Sequence, residues 1–278
     1  MRFAAWLAVP LARRLVVRRK SSQPHVYDAP ALYDAAFGFR DFPDEVDFLF
    51  AAHERHGTTG GAPQRVLELA AGPARHAVEA ASRGVRSHAI DLSPAMVTHG
   101  AAIAAEENVK VEYQVGDVRD ALPFGDMCSA WLLLGSIGHL LTNEDALRCL
   151  RSAKDALAPG GTLILEIPHP RETFRIDGTT EEGWDVPYKG GDLRVSWGSE
   201  DDIFDPLTQV REASVLFETE GQTIEDVVAT REYTLQELRL LADAAGFAEL
   251  ATYGALDADF IDAGDEELAY RLVVVLTA

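Results

Sequence analysis

The sequence predicts an α/β fold: a mostly parallel sheet with helices on both faces, plus an inserted antiparallel region. Three observations carry that reading. Short apolar runs alternate with amphipathic segments of helical length from Val66 to Ile167. Those runs are nearly continuous, as in strands covered on both sides. From Pro168 to Tyr233 the rhythm changes to an alternation of period two. A length of 278 residues suits one large domain of this kind or two small ones.

The elements follow in order. Between Tyr27 and Gly57 the pattern suggests two short helices rich in aromatics, and "TTGGAP" then breaks the chain. "RVLELA" reads as a strand and "RHAVEAASRG" as a helix closed by Gly84. "SHAIDL" is a strand, followed by a helix with Ser93 as N-cap and Pro94 at its first position. "VKVEYQVGD" and the apolar "CSAWLLLGS" are strands, and a helix opened by Thr142 runs to "APGG". "TLILEI" is the fifth strand. "LRVSW", "QVREASVLF" and "TIEDVVATREY" form the antiparallel meander. "TLQELRLLADAAG" returns to helix, with Thr234 and Glu237 as a capping box and Gly246 as its stop. "FAELATYGAL" and "AYRLVVVLTA" complete a seven-stranded main sheet.

Composition narrows the function. The hydrophobic share is 47% and the net charge −20. So acidic a surface repels phosphate backbones, which argues against a nucleic-acid substrate and leaves small molecules or basic partners. Cys128 and Cys149 lie in apolar stretches without metal-ligand spacing, so reduced core thiols are expected and no metal. Residues 1–26 form a basic extension with Arg2, Arg13, Arg14, Arg18, Arg19 and Lys20 and no acid. Its apolar run is too short and interrupted to span a bilayer. It reads as a transit peptide, as a basic helix on a membrane or partner surface, or as a solvated tail. The location is accordingly the cytoplasm, or a mitochondrial matrix if the extension is a transit peptide.

The chemistry centres on "VLELAAGPAR". The end of a buried first strand is where a parallel sheet opens a crevice for a ligand, and small residues let the backbone approach it. Ala70, Ala71, Gly72 and Ala74 keep that smallness. The turn stays permissive provided that only Gly72 needs a left-handed backbone, so Gly72 should tolerate a side chain least. Asp91 ends the second strand about twenty residues on, where an acid can accept both hydroxyls of a ribose. Asp117 ends the third strand, where a carboxylate can accept from an adenine amino group. Glu68, Asp91 and Asp117 thus place an acid at the same edge of three successive strands. A dinucleotide site would want open backbone donors for its phosphates, and Pro73 removes one.

With these motifs in order and at these intervals, the sequence resembles the class I S-adenosylmethionine-dependent methyltransferases from about Tyr27 to its end. "VLELAAGPAR" is similar to their first motif, with Ala70 and Ala74 where glycine is usual. "AIDLSPAMV" is similar to the second, "GDVRDALPF" to the third, and "LAPGGTLILEI" and "RLVVVLTA" to later strands. The resemblance implies a Rossmann-like fold and S-adenosylmethionine as cofactor. It implies Glu68, Ala70, Gly72, Arg75, Asp91, Leu92, Met96, Asp117, Val118 and Leu134 as residues around that cofactor.

It also implies methyl transfer to N, O or C of a small molecule by in-line displacement. Residues 27–278 would be the methyltransferase domain, with 172–233 inserted as a substrate lid and the 27–42 segment covering the other side. Tyr27, Tyr33 and Arg40 there, with His169 and Arg171 in "EIPHPRE", are candidate substrate residues. Ser136 and His139 in "LLLGSIGHL" are the candidates for holding or deprotonating the nucleophile. No "NPPY"-like amide-methylation signature follows the fourth strand. The alternative is a non-catalytic cofactor-binding or assembly protein on the same fold, and a homodimer stays open.

Overall fold

A computed structural model describes residues 25–174 and 182–278, and the basic stretch 1–24 lies outside them. A single 3-10 turn, Val26–Asp28, leads into α1 (Pro30–Phe37) and α2 (Phe42–His56). Then come β1 (Arg65–Leu69), α3 (Arg75–Ser82), β2 (Arg86–Asp91), α4 (Pro94–Glu106), β3 (Val111–Val115) and β4 (Met127–Leu132). A 3-10 turn at Ser136–His139 precedes α5 (Asn143–Ala156), β5 (Leu157–Pro168) and the one-turn α6 (Pro170–Thr173). The second half holds β6 (Glu182–Tyr188), β7 (Gly191–Trp197), β8 (Ile203–Asp205), β9 (Val210–Glu218) and β10 (Thr223–Arg231). It ends with α7 (Leu235–Ala245), β11 (Glu249–Tyr253) and β12 (Arg271–Thr277).

The main sheet has seven strands in the order β11-β12-β5-β4-β1-β2-β3. From β5 to β3 the pairs are parallel, and β12 is antiparallel to both its neighbours. The direction of winding reverses between β1 and β4, which opens a crevice at their C-terminal ends. Local chemistry sets the helix starts as expected. Ser93, Thr142 and Thr234 each accept a bond from a backbone N–H in the first turn of α4, α5 and α7.

Strand periodicity sorts the core onto two faces. Leu67, Leu69, Leu132, Leu165 and Val274 pack with α5 and α7. Val66, Trp131, Ile164 and Val273 pack on the other face with Phe48 and Leu49 of α2. Two residues past Val66 and Ile164 come Glu68 and Glu166, so both acids point toward the α2 face. Burying them there requires partners.

The inserted region is larger than the expected three-stranded meander. It is a second, five-stranded sheet in the order β10-β9-β7-β6, with β8 beside β9. Its inner residues Leu193, Val195, Val215, Phe217 and Ile224 share one apolar cluster with Val26, Leu32 and Ala36. Trp184 Nε1 donates to the Ala36 carbonyl at 2.8 Å. The segment around α1 therefore does not cover the opposite side of the crevice. It and the inserted sheet form a single layer, because each has one apolar face that only the other buries.

Candidate functional site

The crevice is lined by Glu68 to Pro73 from the turn after β1, by Tyr33, Asp34 and Phe37 of α1, and by Phe42 at the start of α2. Arg75 and His76 of α3, and Leu133, Leu134 and Ser136 after β4, complete it. Small side chains at positions 70–72 make the turn low enough to leave this space.

The backbone of that turn departs from the expectation. Ala70, Gly72 and Ala74 are all left-handed, with φ of 49°, 53° and 57°. Such a conformation costs an L-residue about 1–2 kcal/mol, so both alanines carry strain that glycine would not. A Cβ at Gly72 would meet nothing nearer than Tyr33 Cε1 at 3.8 Å, so only backbone conformation restricts this position. Gly100 in α4 is the tighter site: a Cβ there would fall 2.6 Å from Tyr113 Cε1 and 2.8 Å from the Pro73 carbonyl oxygen. Ala70→Gly is expected to stabilise the protein by about 0.5–1 kcal/mol, strain relief outweighing the added freedom of the unfolded chain. Ala74→Gly should be near neutral, because Ala74 is fully buried and its methyl contributes roughly 0.8 kcal/mol. Urea midpoints of the two variants check this.

Glu68 sits behind the turn. Its Oε2 accepts the Ala77 N–H at 2.8 Å, and its Oε1 lies 3.0 Å from His76 Nδ1. His76 Nε2 reaches Glu45 of α2 at 2.7 Å. Burial alone would push the imidazole pKa down, but the bonds to Glu45 and Glu68 outweigh it and hold the value at about 9. Since the folded value exceeds the ordinary 6.5, this pairing stabilises fully below about pH 6.5 and is lost as pH rises through about 9. Thermal unfolding from pH 6 to 10 should show that decline, and His76→Gln should flatten it.

Asp91 ends β2 beside the turn: its Oδ2 accepts Gly72 N–H at 2.7 Å and its Oδ1 accepts Ser93 N–H at 2.8 Å. Burial raises its pKa despite those donors. Each oxygen keeps acceptor capacity for a further donor. Tyr113 donates to the Gly72 carbonyl, so residue 72 is held at both its N–H and its C=O. Asp117 is engaged by Arg119, whose hydrogen bonds hold its carboxyl below the usual range. Leu92 is exposed, Met96 is fully buried under the α4 N-terminus, and Val118 packs on the core. Arg75 pairs with Asp34 at 2.6 Å, and His99 joins the same carboxylate at 3.1 Å, which ties α1 to α3 and α4.

Across the crevice, Ser136 lines the wall and His139 follows it. Tyr27 Oη lies 3.0 Å from His139 Nε2, and the Tyr27 ring also contacts Tyr33. His139 is exposed as a residue, yet desolvation of its ring lowers its pKa, with the charge of His25 adding to the effect, so it is neutral near pH 7.

Of the five expected substrate residues Tyr33 lines the crevice, Tyr27 packs against Tyr33 without being among the lining residues, and the other three are turned elsewhere. Arg40 is buried between Glu45 and Glu166. His169 caps α6 and bonds the Ala263 carbonyl, and Arg171 bonds the carbonyls of Asp265 and Glu266. Sequence reasoning in turn missed Asp34, Phe37, Phe42 and His76, which line the crevice, and Glu45 and Glu166, which stand behind it. The signal available for Glu166 was an acid inside the apolar run "LILEI".

The family model described as a methyltransferase domain matches residues 66–161, from the first crevice strand to the start of the fifth. Among solved structures, an S-adenosylmethionine-dependent methyltransferase of Clostridium acetobutylicum superposes with a TM-score of 0.73 at 15% identity, covering 91% of this chain and 99% of that one. A sugar N-methyltransferase of Streptoalloteichus gives 0.66 at 18% identity, covering 100% and 99%. An amino pentose methyltransferase of Micromonospora echinaspora, involved in calicheamicin biosynthesis, gives 0.65 at 21% identity, covering 91% and 97%. These likenesses show that this chain, its inserted sheet included, shares one fold with them. Curated protein sequences gave no match.

Proposed function

We propose that this protein transfers a methyl group from S-adenosylmethionine to an amine nitrogen of a small molecule. The observation that carries the reading is the crevice at the β1/β4 reversal. Its floor is the low turn 70–74, its back is Glu68, and Asp91 stands on the adjoining strand. The residues fit that cofactor: a narrow turn with few free N–H donors suits a methionyl chain, which carries no phosphate, better than a pyrophosphate, and acids suit the sulfonium cation. When bound, the cofactor supplies an electrophilic methyl group on a sulfonium.

The chain's own part is binding, alignment and exclusion of water. Asp91 would accept the ribose hydroxyls, and Leu92, Met96, Asp117 and Val118 would surround the adenine. Glu68, Ala70, Gly72, Arg75 and Leu134 would flank the methionyl end. The cofactor assignment of Asp117 requires Arg119 to share its carboxylate. Ser136, Tyr27 and Tyr33 would orient the acceptor, and neutral His139 can take the proton that an amine sheds on methylation. Strands β6–β10 with α1 would form the roof. An amine acceptor is supported by the sugar N-methyltransferase and the amino pentose methyltransferase that share the fold.

Calorimetry with S-adenosylmethionine, followed by turnover on a panel of amino sugars, tests the proposal. Micromolar binding and product formation that falls at least about tenfold in His139→Ala are expected. No binding below millimolar concentration would refute the cofactor, and undiminished turnover in His139→Ala would remove its role as base.

A further inference from the structure

Resting on that reading, we propose that Glu45 and Arg40 are positioning residues. Through His76 and Glu166 they join β1 and the first turn of α3, on either side of the turn 70–74, to the turn after β4, and so fix the two crevice walls between which the methyl group would pass.

The link is continuous. From Glu68, His76 spans to Glu45 with bonds of 3.0 and 2.7 Å. Arg40 Nε bonds Glu45 at 3.0 Å, while its terminal nitrogen bonds both oxygens of Glu166 at 3.2 Å. Glu166 Oε2 then accepts the Leu134 N–H at 2.9 Å. Both ends stop on backbone beside the crevice: Ala77 N–H at one, Leu134 N–H at the other. Leu134 is left-handed at φ 54°, a conformation that a leucine keeps only where its surroundings impose it. The fork of Arg40 serves two acids from different elements, which a lysine ammonium cannot do with the same geometry.

A buried charged chain is a poor device for stability alone, since apolar side chains of similar volume would serve as well. Its placement suggests the purpose. The middle members, Arg40 just before α2 and Glu45 in its first turn, lie outside the matched residues 66–161 and reach the crevice walls from behind. Were this link only structural, breaking it would not discriminate between parts of a bound ligand.

The test is a double-mutant cycle of Glu45→Gln and Glu166→Gln, titrated calorimetrically with S-adenosylmethionine and with adenosine. Each single variant is expected to weaken S-adenosylmethionine about tenfold while adenosine stays within about twofold. The double variant should be no weaker than the worse single one, because either substitution already breaks the link. Losses that multiply to about a hundredfold, equal losses for adenosine, or unchanged singles would each overturn the proposal. If Glu166→Gln does not fold, Glu45→Gln with Arg40→Lys forms the same cycle. A wild-type protein that binds no S-adenosylmethionine refutes the cofactor and this link with it. A binding wild type with equally binding variants refutes the link alone.

Discussion

Arg40→Ala is expected to destabilise the protein by about 3 kcal/mol or more, enough to lower the melting temperature by on the order of 10 °C. The reason lies in what the substitution leaves behind. Glu166 is fully buried, and burial alone would raise its pKa; the charges of Arg40 and Arg271 and the Leu134 N–H bring it below the usual value instead. Without Arg40, Glu166 keeps only the partly exposed Arg271 and that one amide, and Glu45 keeps only His76. An uncompensated buried carboxylate relieves itself by taking a proton. The deficit should therefore shrink as pH falls toward 4, since the variant gains protons on folding where the wild type does not. Chemical denaturation of both proteins at pH 7 and pH 4 measures the two gaps. A deficit independent of pH would mean that lost packing, and not lost charge, dominates.

Asp91→Ala is expected to weaken S-adenosylmethionine by at least about a hundredfold. Hydrogen bonds to a charged group contribute roughly 1.5–3 kcal/mol each, and a ribose offers two. The substitution also frees the Gly72 and Ser93 N–H groups, so the left-handed turn loses a support as well as a ligand contact. Asp91→Asn separates the effects. It keeps an acceptor oxygen and should retain the turn better than it retains the ligand. Equal affinity in wild type and Asp91→Ala would remove Asp91 from the ribose position.

The main sheet was legible because its strands are covered on both faces and its helices carry their own start signals at Ser93, Thr142 and Thr234. The placement of Glu68, Asp91 and Asp117 at one edge of the sheet was legible for the same reason, although only Glu68 of the three is among the residues that line the crevice. The inserted sheet was only partly so. The sequence reading named no strand before "LRVSW"; β6 holds Gly183 and Pro187, and as an edge strand it accommodates a proline without leaving a ladder bond unmade. Three-residue β8 is too short to show any period.

Charge pairing was the least legible feature. Arg40 and Glu166 are separated by 126 positions, and nothing local in "GFRDFP" says that the guanidinium turns inward. The alanines of the first turn show the opposite error. Their chemistry suggested ordinary backbone at 70 and 74, and tertiary contacts imposed the left-handed region on them.

The shared layer of α1 and the inserted sheet bears on the order in which the molecule is made. Val26 N–H donates to Asp226 at 3.0 Å, across 200 positions of chain. The turn 70–74 is held by hydrogen bonds to Asp91 and Tyr113, all within the first half of the chain. The roof needs the first described residues and those past 224 together. During synthesis the early segment must wait, its apolar face uncovered, until most of the chain has emerged. Contacts of such long range form slowly and rest on few local supports. The turn that bears Gly72 can thus be in place while the layer of α1 and the inserted sheet still lacks its later half.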